Sequence, residues 1–230
     1  MAFCSLLFFS KSNAQGMKQT ESPKIYSEIM VDNFILQSSF FEKKNSSEIG
    51  PLRFSNVLNG GYHLHKDFSA HFGIFSGLHL KNIGFIEKIQ DSTIKRRVYT
   101  LGIPFMVKVG NMKKGNFIVG GGVDFPFHFK EKGFIKRNSK TKTNEWFSKR
   151  TQQVMPYAMV GYNFKIGMQF SLSFYPQNFL NPQFIDKVNQ KPYTDYNVQL
   201  LLFSWSRNLT DRHGKKQIIP TKAPPLPNIL

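Results

Sequence analysis

Four histidines lie close together in the sequence, at His63, His65, His71 and His79. Imidazole groups ligate metals and act as general bases, but a zinc site also needs partner ligands at a defined spacing, such as a His-x-x-x-His helix. No such pattern accompanies them. The predicted strands direct His63 and His71 towards a polar interior, with His65 in a turn and His79 at the far end. The sequence therefore predicts structural histidines, with no metal and no cofactor.

Ser76 and His79 are the one pair whose types suit a nucleophile and its base. Strand alternation directs Ser76 towards lipid and His79 towards the interior, so the two side chains do not share a site. The glycines at 120–122 are followed by no Lys-Ser or Lys-Thr and lie within a predicted strand, which favours close packing over a phosphate loop. These patterns predict a protein that is not an enzyme.

The elements that carry these side chains are long alternating strands. Two runs between 96 and 129 are joined by a basic turn and predict a β-hairpin. One face of the first run consists of Tyr99, Leu101, Ile103, Phe105, Val107 and Val109. One face of the second consists of Phe117, Val119, Gly121, Val123, Phe125, Phe127 and Phe129. A tilted strand of about 9–11 residues with one apolar face is long enough to cross a bilayer.

Six further runs of the same kind complete the set. They cover 25–36, 52–64, 68–81, 152–164, 167–175 and 195–209. The longer connections are polar and cover 37–51, 82–95, 130–151 and 177–194, and they alternate with short turns. An even strand number with alternating long and short connections is typical of outer-membrane barrels. The sequence predicts an eight-stranded antiparallel up-and-down transmembrane β-barrel in the outer membrane of a Gram-negative bacterium, with a soluble secreted barrel or sandwich as the alternative.

The chain divides into four predicted regions. Residues 1–14 have the apolar stretch and Ala-Gln ending of a signal peptide but lack its basic start, so a shortened signal or a buried apolar strand are the two interpretations. Residues 15–24 form a flexible segment, 25–209 the barrel and 210–230 a Pro/Lys-rich periplasmic tail. The only cysteine, Cys4, falls in the first region. The mature chain is therefore predicted to contain no disulfide.

The run LGIPFMVKV at 101–109 resembles the signature of the PorT-like outer-membrane β-barrel domain family, with Gly102 in place of an acid and Val109 in place of an aromatic residue. The Gly120–Gly122 run, VGYNF at 160–164 and SFYPQNFLN at 173–181 are similar to the family's next strands. The resemblance covers most of 25–209. It implies a barrel in the outer membrane and, for some members, an association with protein secretion.

Charged residues on the polar faces are predicted to fill the interior. They are Glu28, Asp32, Arg53, Arg96, Lys108 and Asp124, together with Arg207. A barrel of this size has room only for side chains, so a hydrogen-bonded charge network is favoured over a small pore. Three prolines fall inside strands, where each removes a ladder donor. Pro104 predicts a bulge, while Pro126 and Pro156 predict a loosened ladder near one loop.

The formal charge of +17 raises the question of an anionic partner. No nucleic-acid-binding motif is present, so nucleic acid is not expected. The segment 130–151 is an outer loop in the predicted topology and holds six cations expected to contact anionic lipid: Lys136, Arg137, Lys140, Lys142, Lys149 and Arg150. Trp146 and Phe147 would anchor it at the interface. A solvated loop without a ligand is the alternative.

The predicted function is structural or surface binding, with outer-membrane lipid and lipopolysaccharide as partners. An accessory role in an outer-membrane secretion system, with a periplasmic or secretion-machinery protein as partner, is the alternative. A small pore is the third interpretation.

Overall fold

The protein is described by a computed structural model that covers residues 24–43, 46–135, 139–185 and 196–210. The predicted signal segment 1–14, almost all of the segment 15–24 and the tail beyond Thr210 lie outside these residues. No helix among the described residues is long and apolar enough to cross a membrane.

All regular structure is β-strand. The strands are β1 (Lys24–Lys43), β2 (Ser46–Ile49), β3 (Arg53–Ser55), β4 (Gly60–Asp67), β5 (Phe72–Ile89), β6 (Ser92–Asn111), β7 (Gly115–Ile135), β8 (Ser139–Trp146), β9 (Met155–Phe164), β10 (Met168–Tyr175) and β11 (Asn197–Asn208).

These strands form one closed antiparallel ring. Each strand pairs with its neighbour in the order β1, β4, β5, β6, β7, β9, β10, β11, and β11 pairs with β1. The short strands β3 and β2 pair with the part of β1 that lies beyond its pairing with β4. β8 pairs with the second half of β7. The ring thus has eight members, and the eight-stranded antiparallel up-and-down barrel predicted from the sequence is confirmed.

Two segments predicted as loops are strands instead. The segment 82–95 continues β5 and β6, which stay paired as far as Ile89 and Ser92. The segment 130–151 contains the end of β7 and all of β8. These segments were predicted as loops because they are polar, but a β-ladder that rises beyond the membrane is solvated on its outer face and needs no apolar alternation there.

The first hairpin turn also differs from its prediction. β4 continues through His65 to Asp67, and the turn lies at 68–71. His65 is therefore buried in a strand, whereas His71 lies in the turn and is exposed. The sequence had predicted the opposite placement of these two histidines.

Two bulges change which residues face inward. The β1 register against β11 shifts between Asp32 and Phe34, so Ile35 is buried although Ile29, an even number of residues before it, faces outward. The β7 register against β6 shifts at Phe127, which is the extra residue, and Phe129 is buried for the same reason. One extra residue in a strand inverts all alternation beyond it.

Pro104 does not form the predicted bulge. The β5–β6 register is the same on both sides of it, and Pro104 stays paired with Gly122 of β7. Its ring faces a gap in the β5 ladder, and Ser76 Oγ donates a 2.7 Å hydrogen bond to the Pro104 carbonyl. The pairing of β7 with β9 ends at Asp124, and its pairing with β8 begins at His128. Pro126 lies between these two residues, so its missing N–H interrupts neither of these two ladders. Pro156 pairs with Val123 without a register shift.

The outer surface of the ring is an apolar belt. On β6 it runs from Leu101 to Val109 and on β7 from Phe117 to Phe125, and Phe105 is 59% exposed. The belt continues round the ring with outward residues on the remaining strands, among them Ile29, Tyr62, Phe72, Val160, Leu172 and Phe203. Nine residues between its edges match the length of a tilted strand in a bilayer, about 9–11 residues.

Candidate functional site

The buried centre of the ring is an ion pair that the sequence only half predicts. Asp124 is fully buried, and Lys81 Nζ donates to its Oδ1 at 3.1 Å. Tyr175 donates to the second carboxylate oxygen at 2.6 Å, and Lys81 lies 3.6 Å from the centre of the Tyr157 ring. The charge of Asp124 is therefore matched by two donors, as a buried carboxylate requires.

Asp32 and the histidines form a second buried group. Asp32 lies 2.9 Å from His79 Nε2 and accepts a 2.6 Å hydrogen bond from Ser206. The His63 and His79 rings are 5.4 Å apart, and His63 Nε2 has no hydrogen-bond partner among the described residues. No group of three or more metal-ligating side chains occurs in the described part of the chain. Ser76 contacts Pro104, so Ser76 and His79 are not joined as nucleophile and base.

The remaining predicted interior residues have separate partners. Lys108 pairs with Asp67 and bonds the Tyr26 hydroxyl, and Glu28 lies 3.5 Å from His65. Arg96 pairs with Glu87 and Glu131 near the outer end. Arg53 donates to the Asn82 carbonyl and side chain. Arg207 points outward and is exposed. The six predicted charges thus have local partners at different heights of the barrel.

The interior is filled along most of its length. At the outer end Phe179 and Leu180, from the segment after β10, pack into a buried cluster with Phe85, Phe129 and Leu200. Two cavities lie below this cluster, one of about 30 Å³ beside Asp32 and one of about 300 Å³ at the inner mouth. The apolar cluster and the ion pairs together separate the inner mouth from the outer end.

The outer half of β6, β7 and β8 carries a grid of cations. Lys95, Lys132 and Lys142 are directly paired across the three strands, and Arg97, Lys130 and Asn144 form the row below. Lys140 lies in the row above, paired with Phe134. Rows on one face are about 6.6 Å apart along a strand, and strands are about 4.8 Å apart. We refer to Lys95, Arg97, Lys130, Lys132, Lys140 and Lys142 as the cationic face.

The cationic face looks outward from the barrel. Lys95 and Arg97 alternate with Arg96 and Val98, which are buried, and they share the side of β6 that carries Leu101 and Ile103. On β7 the bulge at Phe127 brings Lys130 and Lys132 to that same side. If Phe127 instead occupied a regular place in the ladder, these two lysines would point into the barrel.

An aromatic row separates the cationic face from the apolar belt. Tyr99, His128 and Trp146 are paired across β6, β7 and β8 directly below Arg97 and Lys130. Lys130 Nζ lies 5.3 Å and the Arg97 guanidinium 5.9 Å from the centre of the Tyr99 ring. Moving outward, the wall therefore changes from apolar to aromatic to cationic, which is the order of a membrane interface.

The cations of this face repel one another. Arg97 lowers the pKa of Lys132 below its ordinary value, with smaller effects from burial and from Lys140, Lys142 and Lys130. Burial lowers the pKa of His128, and Lys130 and Arg97 lower it further. None of the twelve outward positions in these rows is Asp or Glu, so no carboxylate within the rows offsets the repulsion.

The predicted lipid-contact residues are divided by the structure. Lys140 and Lys142 lie on the cationic face, and Lys149 is exposed in the segment after β8. Arg150 is not available as predicted, because it pairs with Glu145 at 3.1 Å and lies over the Phe184 ring. Lys136 and Arg137 lie outside the described residues. Lys130 and Lys132 belong to the basic segment singled out in the sequence but not to its predicted contacts, and Lys95 and Arg97 were missed because only strand pairing brings β6 and β7 into one face.

Several solved structures are similar to this chain. The chain is similar to Ail, the attachment invasion locus protein of Yersinia pestis, in complex with the heparin analogue sucrose octasulfate, at 11% identity and a TM-score of 0.36, covering 80% of this chain and 99% of Ail. A second Ail structure has 12% identity and a TM-score of 0.33, and the match covers 80% of this chain and 98% of Ail. Neisserial surface protein A (NspA) has 5% identity and a TM-score of 0.39, and the match covers 79% of this chain and 95% of NspA.

These similarities concern the fold alone. No family model and no curated protein sequence matches the chain. The PorT-like resemblance therefore stays a prediction, and the cationic face is assigned from its own geometry.

Proposed function

We propose that this protein is an integral barrel of the outer membrane that binds the phosphorylated headgroups of anionic glycolipids through the cationic face, without enzymatic activity. The observation that carries the proposal is the placement of six cations, with no acid among them, directly above an aromatic row and an apolar belt. Lipopolysaccharide in the outer leaflet is the anionic glycolipid that meets such a barrel at this height.

The geometry suits repeated phosphate groups better than a single one. The face is three strands wide and three cation-bearing rows high, so it covers roughly 10 Å by 13 Å. Lysine and arginine near an anionic leaflet each contribute about 1 kcal/mol, and salt weakens that contribution. Several moderate contacts, all screened together, predict binding that depends strongly on ionic strength.

The interior supports the non-enzymatic part of the proposal. Its buried charges have ionic or hydrogen-bonding partners, and among the described residues neither the His63–His79 group nor Ser76 combines a nucleophile with a base. The filled interior does not favour a pore. An accessory role in secretion has no observation in its favour among the described residues, so it is not proposed as the main function.

The test compares two variants that each lose four lysine charges. The first changes Lys95, Lys132, Lys140 and Lys142 to Gln on the cationic face. The matched control changes Lys66, Lys113, Lys114 and Lys165, which are exposed at the opposite end. At low salt the first variant should retain lipopolysaccharide at least tenfold less well in detergent micelles, because about 1 kcal/mol is lost at each of several sites. The control should retain it as the unchanged protein does.

Both variants should keep the heat-modifiable mobility of a folded barrel, so loss of folding is excluded as a cause. Equal retention by the two variants would contradict the proposal and leave the face as a solvated surface.

A further inference from the structure

The aromatic row below the cationic face is a stack of rings. The Tyr99 and His128 rings are 5.7 Å apart and inclined by 19°, and the His128 and Trp146 rings are 4.2 Å apart and inclined by 8°. Each ring comes from a different strand, so the stack crosses the wall from β6 to β8. Phe127, at the bulge, lies beside the stack at 6.1 Å from Trp146.

The stack ends on an open indole face. His128 and Phe127 both lie on the β7 side of Trp146, yet the Trp146 residue is 66% exposed. With one face of the ring covered at 4.2 Å, that exposure requires the other face to be open. β8 is paired only with β7, and no ring or cation of the described residues covers the side of Trp146 that faces away from β7.

We infer that the open face of Trp146 is a subsite for the sugar ring of the ligand, so that the site takes a phosphorylated saccharide and not merely a phosphate. This inference rests on the proposed function. The C–H groups on one face of a pyranose carry partial positive charge, and they stack on the negative face of an aromatic ring. Trp is the best ring for this contact because its π face is the largest and most negative.

The neighbouring row supplies what the substituent of that sugar needs. Asn144 and Lys142 stand above Trp146 on the same face of β8, about 6.6 Å and 13 Å along the strand. A ring stacked on Trp146 therefore holds an anionic substituent within reach of the Asn144 amide and the Lys142 ammonium. Arg97 and Lys130 lie beside them in the same row as Asn144.

A lipid anchor is the other function of an exposed tryptophan at this height. The two functions differ in what they predict. An anchor stabilises the barrel in a bilayer and is indifferent to soluble ligands. A sugar subsite distinguishes ligands that carry a ring from ligands that do not.

The experiment uses the full chain in detergent micelles with Trp205 changed to Phe, so that Trp146 is the only fluorophore of its kind. Two soluble probes carry the same phosphate group and no other charge, glucose 1-phosphate with a ring and glycerol 3-phosphate without one. Each is titrated at low salt while Trp146 emission and binding heat are followed. We expect glucose 1-phosphate to bind about fivefold more tightly and to change Trp146 emission, as a single stacking contact provides.

Two variants complete the design. Changing Trp146 to Leu should bring the two probes to equal affinity without abolishing phosphate binding, and changing Trp146 to Phe should keep part of the difference. Equal binding of the two probes by the protein with Trp146 intact would overturn the sugar subsite and leave the proposed function standing. Binding of neither probe, together with unchanged lipopolysaccharide retention by the lysine variants, would overturn both. Heat-modifiable mobility of every variant serves as the folding control.

Discussion

Asp124 shows how one buried carboxylate determines its surroundings. Its register partner on β6 is Gly102, and a Cβ at that position would lie 2.0 Å from Asp124 Oδ1. The glycine therefore makes room for the carboxylate that pairs with Lys81. The acid and the glycine thus stand on neighbouring strands at the same height.

The first prediction exchanges the two positions. Asp124→Gly alone should destabilise the barrel by about 3–5 kcal/mol, because Lys81 is left buried without its carboxylate. Gly102→Asp alone should also destabilise it, through collision with Asp124 and repulsion between two carboxylates. The double variant should recover much of the loss. Guanidinium unfolding in micelles measures all three, and a double variant no more stable than Asp124→Gly would contradict the exchange.

Interior charges could be predicted from strand alternation, but their partners could not. Alternation placed Asp124 and Lys108 on the inner face, and both are buried. Lys81 ended a predicted strand and Glu87 lay in a predicted loop, so neither was recognised as a partner. Which residue meets which across a barrel depends on the stagger of all strands, and no local pattern contains it.

The bulge at Phe127 determines which residues of β7 face the core and which join the cationic face. Below it, Phe117 to Phe125 use odd positions to face outward, and above it Lys130 and Lys132 use even ones. The same shift places Phe129 in the core. A single extra residue thus exchanges the outward-facing positions from odd to even numbers in the upper part of the strand.

The second prediction removes that residue. Deleting Phe127 should leave Lys130 and Lys132 facing outward and Phe129 facing inward, because Thr100 and Tyr99 already pair with Pro126 and His128 on either side of it and these pairs would form a continuous ladder. The deletion variant should therefore assemble and retain lipopolysaccharide as the unchanged protein does. The control, Phe127→Ala, keeps the bulge and should also fold. Heat-modifiable mobility and lipopolysaccharide retention are measured for both variants, and a deletion variant that fails to assemble would show that the bulge itself is required.

The sequence predicted the strands of the membrane belt but not the wall above it. Periodic apolar residues, such as those from Leu101 to Val109, reveal a strand in lipid because one face must be apolar there. Above the belt β6 and β7 continue to total lengths of 20 and 21 residues. In that part the strands face water on the outside and the buried apolar cluster on the inside. Their outer face is therefore polar, the apolar belt pattern ends, and the composition resembles that of a loop.

The filled interior is a property of the whole ring. Phe179 and Leu180 enter from the segment after β10, while Lys81, Asp124 and Tyr175 meet from three different strands. These groups form two layers, apolar above and ionic below. Either layer alone would block the passage of ions. The apolar layer excludes charged solutes, and the ionic layer fills the interior with side chains whose charges are held in place by their partners.

The third prediction concerns conductance. The unchanged protein should give no unitary currents in planar bilayers, and a porin in the same bilayer serves as the positive control. Changing Phe179 and Leu180 to Gly should still give none, because the ionic layer persists. Stable unitary currents from the unchanged protein would show that the two layers open.

The extended part of β6, β7 and β8 stands on one side of the ring. Its cations point away from the barrel axis, parallel to the membrane surface, and not along the axis into the solvent. The molecule therefore has a front and a back within the plane of the bilayer. Glycolipids would gather at the front in a local crescent, whereas two copies approaching front to front would repel each other. In a crowded leaflet such a protein would keep its neighbours of the same kind at its back, and its own lipid shell would separate it from them.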